Sequence, residues 1–472
     1  MSSTSSILRA GAALLVLVAA SLVMGAAAPE KTHAAANKAR PAAADYVPGQ
    51  VVVGYDSGST AKVARNLTTR MGVREAAPAP SSGEQVVTVP RGVTVQQEAS
   101  KLRDQPGVAY AVPNYIARAA GSWIPNDPGP TGHSTGGWQK VQWNLLGTAG
   151  VNAPEAWANL RARQRAGGKG VTVAILDTGV AYRNWTTFRK APDFTNTKFV
   201  HPYDFVAKNR FPLDREGHGT FVAGVVAEST NNHVGLAGIA YGASIMPVRV
   251  LDADGTGDAA TISKGIRYAA NNGAKVINLS LEFDMTVNSG DIPDILSAIR
   301  YAHSRGALVV AASGNEGVEQ IAYPARAPDV VAVGATTKDR CLADYSNGGS
   351  RLALVAPGGG EDSDLTGDPD CHPTRNLPNI VQMTFRDPNT PDRFGYPRDW
   401  YGTSMAAPHV AAVAALVIAS GVVGRRPTPN AVLTRLERTA VTLGGSKPNR
   451  DYGYGLIDAG AATSPLIKSR RR

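Results

Sequence analysis

From Val410 to Ala419 the chain is almost wholly apolar, and the run is preceded by Gly402-Thr403-Ser404-Met405-Ala406-Ala407-Pro408-His409. A helix that is apolar on every face must be buried, so the rest of the fold has to be built around this segment. At about ten residues it is too short to span a bilayer. Pro408 has no N–H to offer the carbonyl of Ser404, so regular helical bonding is expected to begin near the proline, with Ser404 at the open mouth. Free backbone N–H groups and the positive end of the helix dipole meet there. A hydroxyl so placed can attack a carbonyl while the same N–H groups receive the negative oxygen that forms. A plain N-cap serine explains the same residues. The choice depends on whether the chain also supplies a base and an acid.

With 472 residues, 43% of them hydrophobic, the chain has room for a catalytic domain and a smaller one. The net charge of +10 is spread along the sequence, with a run of three arginines only at Arg470–Arg472. That pattern predicts a solvated basic surface and no nucleic-acid partner. Cys341 and Cys371 are the only cysteines, and an exported chain with two most simply pairs them. Closing a loop of about thirty residues contributes on the order of 3 kcal/mol in the chain-entropy picture. A metal pair would need further cysteine or histidine ligands nearby.

Arg9, the apolar run Ala10–Met24 and the small residues Gly25-Ala26-Ala27-Ala28 read as an export signal over residues 1–28, with a retained anchor as the alternative. No permanent membrane anchor is expected, and the localisation is extracellular. A polar, alanine-rich linker fills residues 29–45. Residues 46–118 then carry strand patterns at Gln50–Tyr55, Gln85–Val89 and Val108–Val112, with helix patterns near Thr60–Met71 and at Val95–Arg103. This small α+β unit suits a prosegment that assists folding and blocks a site until removed. Composition does not separate that from a permanent accessory domain.

Beyond Lys169, apolar β-branched runs at Val171–Leu176, Ser244–Val250, Lys275–Leu281, Ala307–Ala312 and Val330–Val333 alternate with helical stretches at Phe221–Ala227, Ala259–Asn271 and Asp291–Arg305. The alternation predicts an α/β fold with a mostly parallel central sheet and helices on both faces. Ligands of such sheets bind beyond the C-terminal strand ends. Three polar groups fall at that edge: Asp177 directly after a strand, His218 between two glycines at a helix start, and Asn315 in the turn Ser313-Gly314-Asn315-Glu316-Gly317. Each has an ordinary reading alone: a turn acid, a structural histidine, a turn asparagine.

Together they change the odds, because Asp177, His218 and Ser404 occur in the order Asp, His, Ser. The segments AILDTGV, GHGTFVAG, ASGNEG and YGTSMAAPHVAAVAAL resemble the subtilisin-like serine peptidases, over about residues 120 to 463. The peptidase domain is therefore expected over residues 119–463 with a basic tail at 464–472. The unit at 46–118, ending Val-Pro-Asn-Tyr-Ile, is similar to the family's ferredoxin-like inhibitory propeptide. The resemblance implies a secreted, autoprocessed serine endopeptidase, inhibited by its own propeptide and monomeric. It makes Ser404 the nucleophile, His218 the base and acid, Asp177 the group that orients the imidazole, and Asn315 an oxyanion donor. Activity should fall as pH drops through the pKa of His218.

The resemblance also implies that substrate lies as an added strand along Asn278-Leu279-Ser280-Leu281, with Ala322 and Tyr323 at the first pocket's base and wall. Glu282-Phe283 replaces the small residues usual after Leu281, so Glu282 is expected to favour Lys or Arg before the scissile bond, unless it simply faces solvent. Asn231–Leu236 looks like the family's calcium loop, with Asn232, Val234 and Leu236 as oxygen ligands and Asp193 and Asp127 as acidic ones. Calcium, as a structural ion, is the cofactor this implies. The acidic loop Glu361–Asp370 reads as solvated. Phe221 replaces a histidine common in the family. The insertion from Gly358 to Trp400 has no simple template and is expected to fold over one side of the cleft. A catalytically silent binding module and an esterase are the alternatives.

Overall fold

A computed structural model describes residues 46–56, 73–75, 84–115, 123–132, 135–373, 375–387 and 390–465. They divide into two units, meeting between Arg118 and Ala119. The expected export signal, the linker, the helix near Thr60–Met71 and residues 466–472 of the tail lie outside the described residues.

In the first unit, strands β1 (Tyr46–Tyr55), β2 (Arg74–Glu75) and β3 (Glu84–Thr88), helix α1 (Val95–Arg103) and strand β4 (Val108–Tyr115) follow in sequence. The strands form an antiparallel sheet in the order β2-β3-β1-β4. Val51 and Val53 point to one face, opposite Val87 and Ala111, and bury against Val95, Ala99 and Leu102 of α1. That helix begins at Val95 because Thr94 and Gln97 cap it reciprocally. The Gln97 N–H donates to the Thr94 hydroxyl (3.2 Å), and the Thr94 N–H donates to the Gln97 side chain (3.1 Å).

The second unit runs α2 (Ala153–Arg161), β5 (Thr172–Asp177), β6 (Lys198–Phe199), β7 (Tyr203–Asp204), α3 (His218–Ala227), β8 (Ser244–Arg249), α4 (Ala259–Asn271), β9 (Val276–Leu279), α5 (Pro293–Ser304) and β10 (Leu308–Ala312). It continues with β11 (Val330–Thr336), β12 (Leu354–Pro357), β13 (Thr384–Phe385), β14 (Phe394–Gly395), α6 (Thr403–Ser420), α7 (Pro429–Thr439) and α8 (Ala459–Thr463). The main sheet is parallel, in the order β12-β11-β10-β9-β5-β8-β6, with β7 also beside β8. Alternate residues of β5 divide the core: Val173 and Ile175 join the cluster that contains α3 and α6, while Ala174 and Leu176 join that of α4 and α5. Burial on both faces is why these strands read as continuous apolar runs. After β5 the chain adds β8 on one side and then crosses to add β9 on the other, so the strand order reverses at the C-terminal end of β5. Asp177 is the last residue of that strand.

One expectation needs correction. Helix α6 spans 18 residues, starting at Thr403 rather than near Pro408, and is long and apolar enough to cross a membrane. What identifies it as a core helix is burial, since nearly all of it lies inside the unit. It starts early because the carbonyl that Pro408 leaves unpaired, that of Ser404, accepts instead from the Ser280 hydroxyl (2.8 Å). Most of the insertion after Gly358 is half-buried or exposed, but one stretch of it joins the core, and Trp400 at its end lies beside the His218 ring (centroids 5.8 Å). Ile380, Val381, Met383 and Phe385 pack into the cluster around α3, and β13 pairs with β14. Trp400 stacks on Phe221, centroids 5.0 Å apart and planes 19° apart, which is the packing that the Phe221 replacement serves. Cys341 and Cys371 are joined as a disulfide, Cα atoms 4.9 Å apart, which ties the rest of the insertion to the segment after β11.

Candidate active site

The parallel register brings the C-terminal ends of β5, β9 and β10 to one edge of the sheet. Ile175 lies opposite Asn278, and Ala311 opposite Leu279. Asp177 is wholly buried there. Its Oδ1 accepts from His218 Nδ1 at 2.8 Å and from the Thr178 N–H at 2.7 Å, while Oδ2 is buried with no partner in the protein. His218 opens α3, which can approach β5 this closely because Gly219 has no side chain. A Cβ there would lie 3.1 Å from the Asp177 side chain. Since Nδ1 donates to the carboxylate, the neutral ring presents its Nε2 lone pair towards the cleft. Burial pulls the His218 pKa down, but the Asp177 carboxylate and its hydrogen bond, with Glu216 and Asp214 behind, outweigh it and leave it pushed up to about 9.

Ser404 stands in the first turn of α6, where backbone donors have no intrahelical acceptor. Its hydroxyl donates to the Ser280 carbonyl (3.3 Å), so a rotation about its own side-chain bond is needed to face His218. In structures without substrate such catalytic contacts are commonly loose. Asn315 is held by its amide oxygen, which accepts from the Thr403 N–H (2.8 Å) and hydroxyl (3.0 Å). Its Nδ2 is thereby turned outward and donates to Glu282 Oε1 at 3.2 Å.

A cleft of about 400 Å³ runs beside these groups, lined by His218, Ser404, Glu216, Ser280, Leu281 and Glu282 among others. Ser280, Leu281 and Glu282 thus meet the reactive edge as the sequence suggested. Ala322 and Tyr323 do not line this cleft: Ala322 is buried with its N–H on the Ser313 carbonyl (2.8 Å). The Tyr323 carbonyl accepts from the Phe283 N–H (2.7 Å), which fixes the segment carrying Glu282. Glu282 is half-buried and lines the cleft. Burial, and then the neighbouring Glu316, push its carboxyl up from the usual range, and its Oε2 is buried without a partner.

The five residues expected at a metal gather on the far side of α3. Asp193 Oδ1 accepts from Asn232 Nδ2 (2.7 Å) and Oδ2 from the Leu236 N–H (2.8 Å). Asp127 accepts from the N–H groups of Asn231 and Asn232, and the Val234 N–H donates to Asn232 Oδ1 (2.9 Å). Asp127, Asp193 and Glu228 are all buried, and among the described residues no Lys or Arg pairs with any of them. Buried carboxylates without a cation suit a hard divalent ion, and each oxygen that accepts one N–H keeps a second lone pair. The Asn232 amide would have to turn by 180° to present its oxygen. The donor set fits calcium.

Two supporting residues escaped the sequence reading. Asp214 accepts from the Thr178 hydroxyl (2.9 Å), the N–H groups of Glu216 (3.0 Å), Gly217 (2.9 Å) and Thr220 (2.9 Å), and the Thr220 hydroxyl (2.6 Å). It thereby fixes the N-terminus that carries His218. An acid four residues before a helix start is the signal that could have found it. Tyr345 accepts from the Gly402 N–H (3.0 Å) and donates to the Gly359 carbonyl (2.9 Å), shaping the turn into α6. Nothing local in the sequence marks it.

A serine at a helix mouth, a carboxylate-backed imidazole and a doubly covered parallel sheet define an α/β serine peptidase. Residues 168–455 match the Subtilase family, and residues 32–114 match the fervidolysin N-terminal prodomain. The chain is 33% identical over 410 residues to a thermophilic serine proteinase of Bacillus sp. (strain AK1), with 86% of each chain covered. It is 36% identical over 334 residues to subtilisin BL of Lederbergia lenta, covering 69% of this chain and 99% of that one. A solved protease from Pseudoalteromonas arctica PAMC 21717 superposes with a TM-score of 0.57 at 30% identity, covering 72% of this chain and 99% of that one. The chain belongs to the subtilase family and is a subtilisin-like serine protease with a prodomain.

Proposed function

We propose that the protein is an exported, monomeric endopeptidase made as a zymogen, in which residues 46–118 restrain the site until Ser404 cuts them away. The observation that carries this is the 2.8 Å bond from His218 Nδ1 to buried Asp177, which leaves Nε2 as a base beside a cleft that also holds Ser404. Substrate lies extended along Ser280-Leu281-Glu282 as an added strand. Ser404 Oγ attacks the scissile carbonyl as His218 Nε2 takes its proton, and Asp177 steadies the imidazolium. The tetrahedral oxyanion accepts from Asn315 Nδ2 and the Ser404 N–H. Collapse expels the amine, which takes the proton from His218. Water then repeats the sequence on the acyl-enzyme and frees the acid.

Export of the Ser404→Ala variant should yield only the unprocessed chain, with peptide turnover lost, while the parent yields a mature N-terminus between Ile116 and Trp123 on N-terminal sequencing. Normal processing of the variant would refute autoprocessing. Asp127, Asp193, Asn232 and the carbonyls of Val234 and Leu236 would hold a calcium ion that neutralises buried charge and contributes no chemistry at Ser404. Chelation should lower the melting temperature of the mature parent, and Asp193→Asn should remove that sensitivity. A melting point indifferent to chelator would remove the ion from the account.

A further inference from the structure

One side chain at the reactive edge has no role in the mechanism above. Glu282 Oε1 takes a hydrogen bond from Asn315 Nδ2, the proposed oxyanion donor, at 3.2 Å. Its Oε2 is buried and unpartnered. That oxygen lies against Gly314, where a Cβ would come within 2.9 Å of it and 2.9 Å of Glu316 Oε2. Gly314 has φ of +115°, so both the backbone and the space require glycine. Two carboxylates therefore flank one glycine beside the nucleophile, in a chain of net charge +10. Among the described residues no Lys or Arg pairs with Glu282.

We propose that Glu282 is a substrate-reading gate, which makes a Lys or Arg immediately before the scissile bond the side chain that releases the oxyanion amide; this rests on the peptidase reading above. With a neutral side chain in the pocket, Glu282 keeps one Asn315 proton and sets a negative charge beside the position where the oxyanion develops. The second proton of the same amide remains available, but like charges at this range oppose each other in a site screened from water. A substrate ammonium or guanidinium draws the carboxylate off Asn315, which brings the buried Oε2 out to the cation, and the pairing neutralises Glu282. The cation thus contributes both to binding and to the transition state, so the preference appears in kcat as well as in KM. Glu282 acts on the reaction through Asn315 and is a positioning residue that also reads charge.

The test compares mature parent, Glu282→Gln and Glu282→Gly on one peptide series differing only in the residue before the scissile bond. Active-site titration counts folded enzyme in each sample. The parent should prefer Lys and Arg over Leu and Phe by at least about tenfold in kcat/KM. In Glu282→Gln the Lys-to-Leu ratio should shrink to within about threefold, with kcat for the neutral peptides rising because no anion faces the oxyanion. Glu282→Gly should raise turnover of the Phe peptide further by opening space. A Lys-to-Leu ratio unchanged in Glu282→Gln, or an equal loss on every peptide, would overturn the proposal and leave the peptidase reading intact. A parent that titrates no active site and turns over no peptide would overturn both.

Discussion

His218 and His409 are the same side chain near the N-terminal ends of two buried helices, in the first turn of α3 and the second turn of α6, and they end in opposite states. His218 faces Asp177, with Glu216 and Asp214 behind, and its pKa is pushed up to about 9. His409 is enclosed: Nδ1 donates to the Met405 carbonyl (2.8 Å), so Nε2 accepts from Asn144 Nδ2 (2.8 Å). Burial, only partly opposed by that carbonyl, takes its pKa down to about 4. One ring can cycle a proton through an open cleft, and the other is a neutral strut that supplies a bond within a helix interrupted by proline. What separates them is the charge of the partner across the ring and access to the cleft, not the residue type.

The strongest way to break this comparison is to exchange the partners. Asp177→Asn should keep the fold and lower kcat by about 10⁴, because an amide no longer fixes the tautomer that leaves Nε2 as the base. If kcat fell by less than about tenfold, Asp177 would not be orienting His218. The reciprocal Asn144→Asp should leave peptide kcat near the parent value while raising the pKa of His409. Chemical denaturation from pH 5 to 8 would then show the acid sensitivity of the parent reduced.

A smaller effect separates the rings by pH, and the signs oppose. His218 acts as base only when neutral, so log kcat/KM should climb by about one per pH unit up to about pH 9. Its stabilising pairing with Asp177 is fully present below the unfolded value of 6.5 and is lost as pH rises through about 9, so activity grows where that contribution fades. His409 runs the other way. Its neutral form contributes stability above pH 6.5, which is lost as pH falls to about 4, a change on the order of 3 kcal/mol. A kcat/KM profile flat from pH 5 to 9 would contradict the first assignment. A parent unfolding free energy flat from pH 6.5 to 4, or a slope over that range left unchanged in His409→Gln, would contradict the second.

Much of this was legible in the sequence, for identifiable reasons. Strands buried on both faces announce themselves as unbroken apolar runs, so β5, β8, β9, β10 and β11 were read nearly to their ends. Helix α4 has the expected bounds, and in the structure Asp258 caps it, accepting from the Thr261 N–H at 2.9 Å. The two- to four-residue strands β6, β7, β12, β13 and β14 carry too little pattern to be read. The start of α6 was misplaced because the missing proline bond is made good by Ser280, 124 residues away, which no local rule anticipates. Similarly, motif spacing brought Asp177, His218, Asn315 and Ser404 to one edge. The carboxylate of Glu282 on the Asn315 amide depends on a side-chain direction that a linear sequence does not contain.

The central claim, that His218 rather than His409 activates Ser404, is tested most directly by the rate of covalent modification with a serine-directed phosphonofluoridate. The labelled residue is located by peptide mass spectrometry in mature parent, His218→Ala and His409→Ala. The account predicts labelling at Ser404 in the parent and in folded His409→Ala at similar rates, and at least about 10³-fold slower labelling in His218→Ala. Parent-like labelling of Ser404 in His218→Ala, or labelling of the parent at another serine, would contradict it.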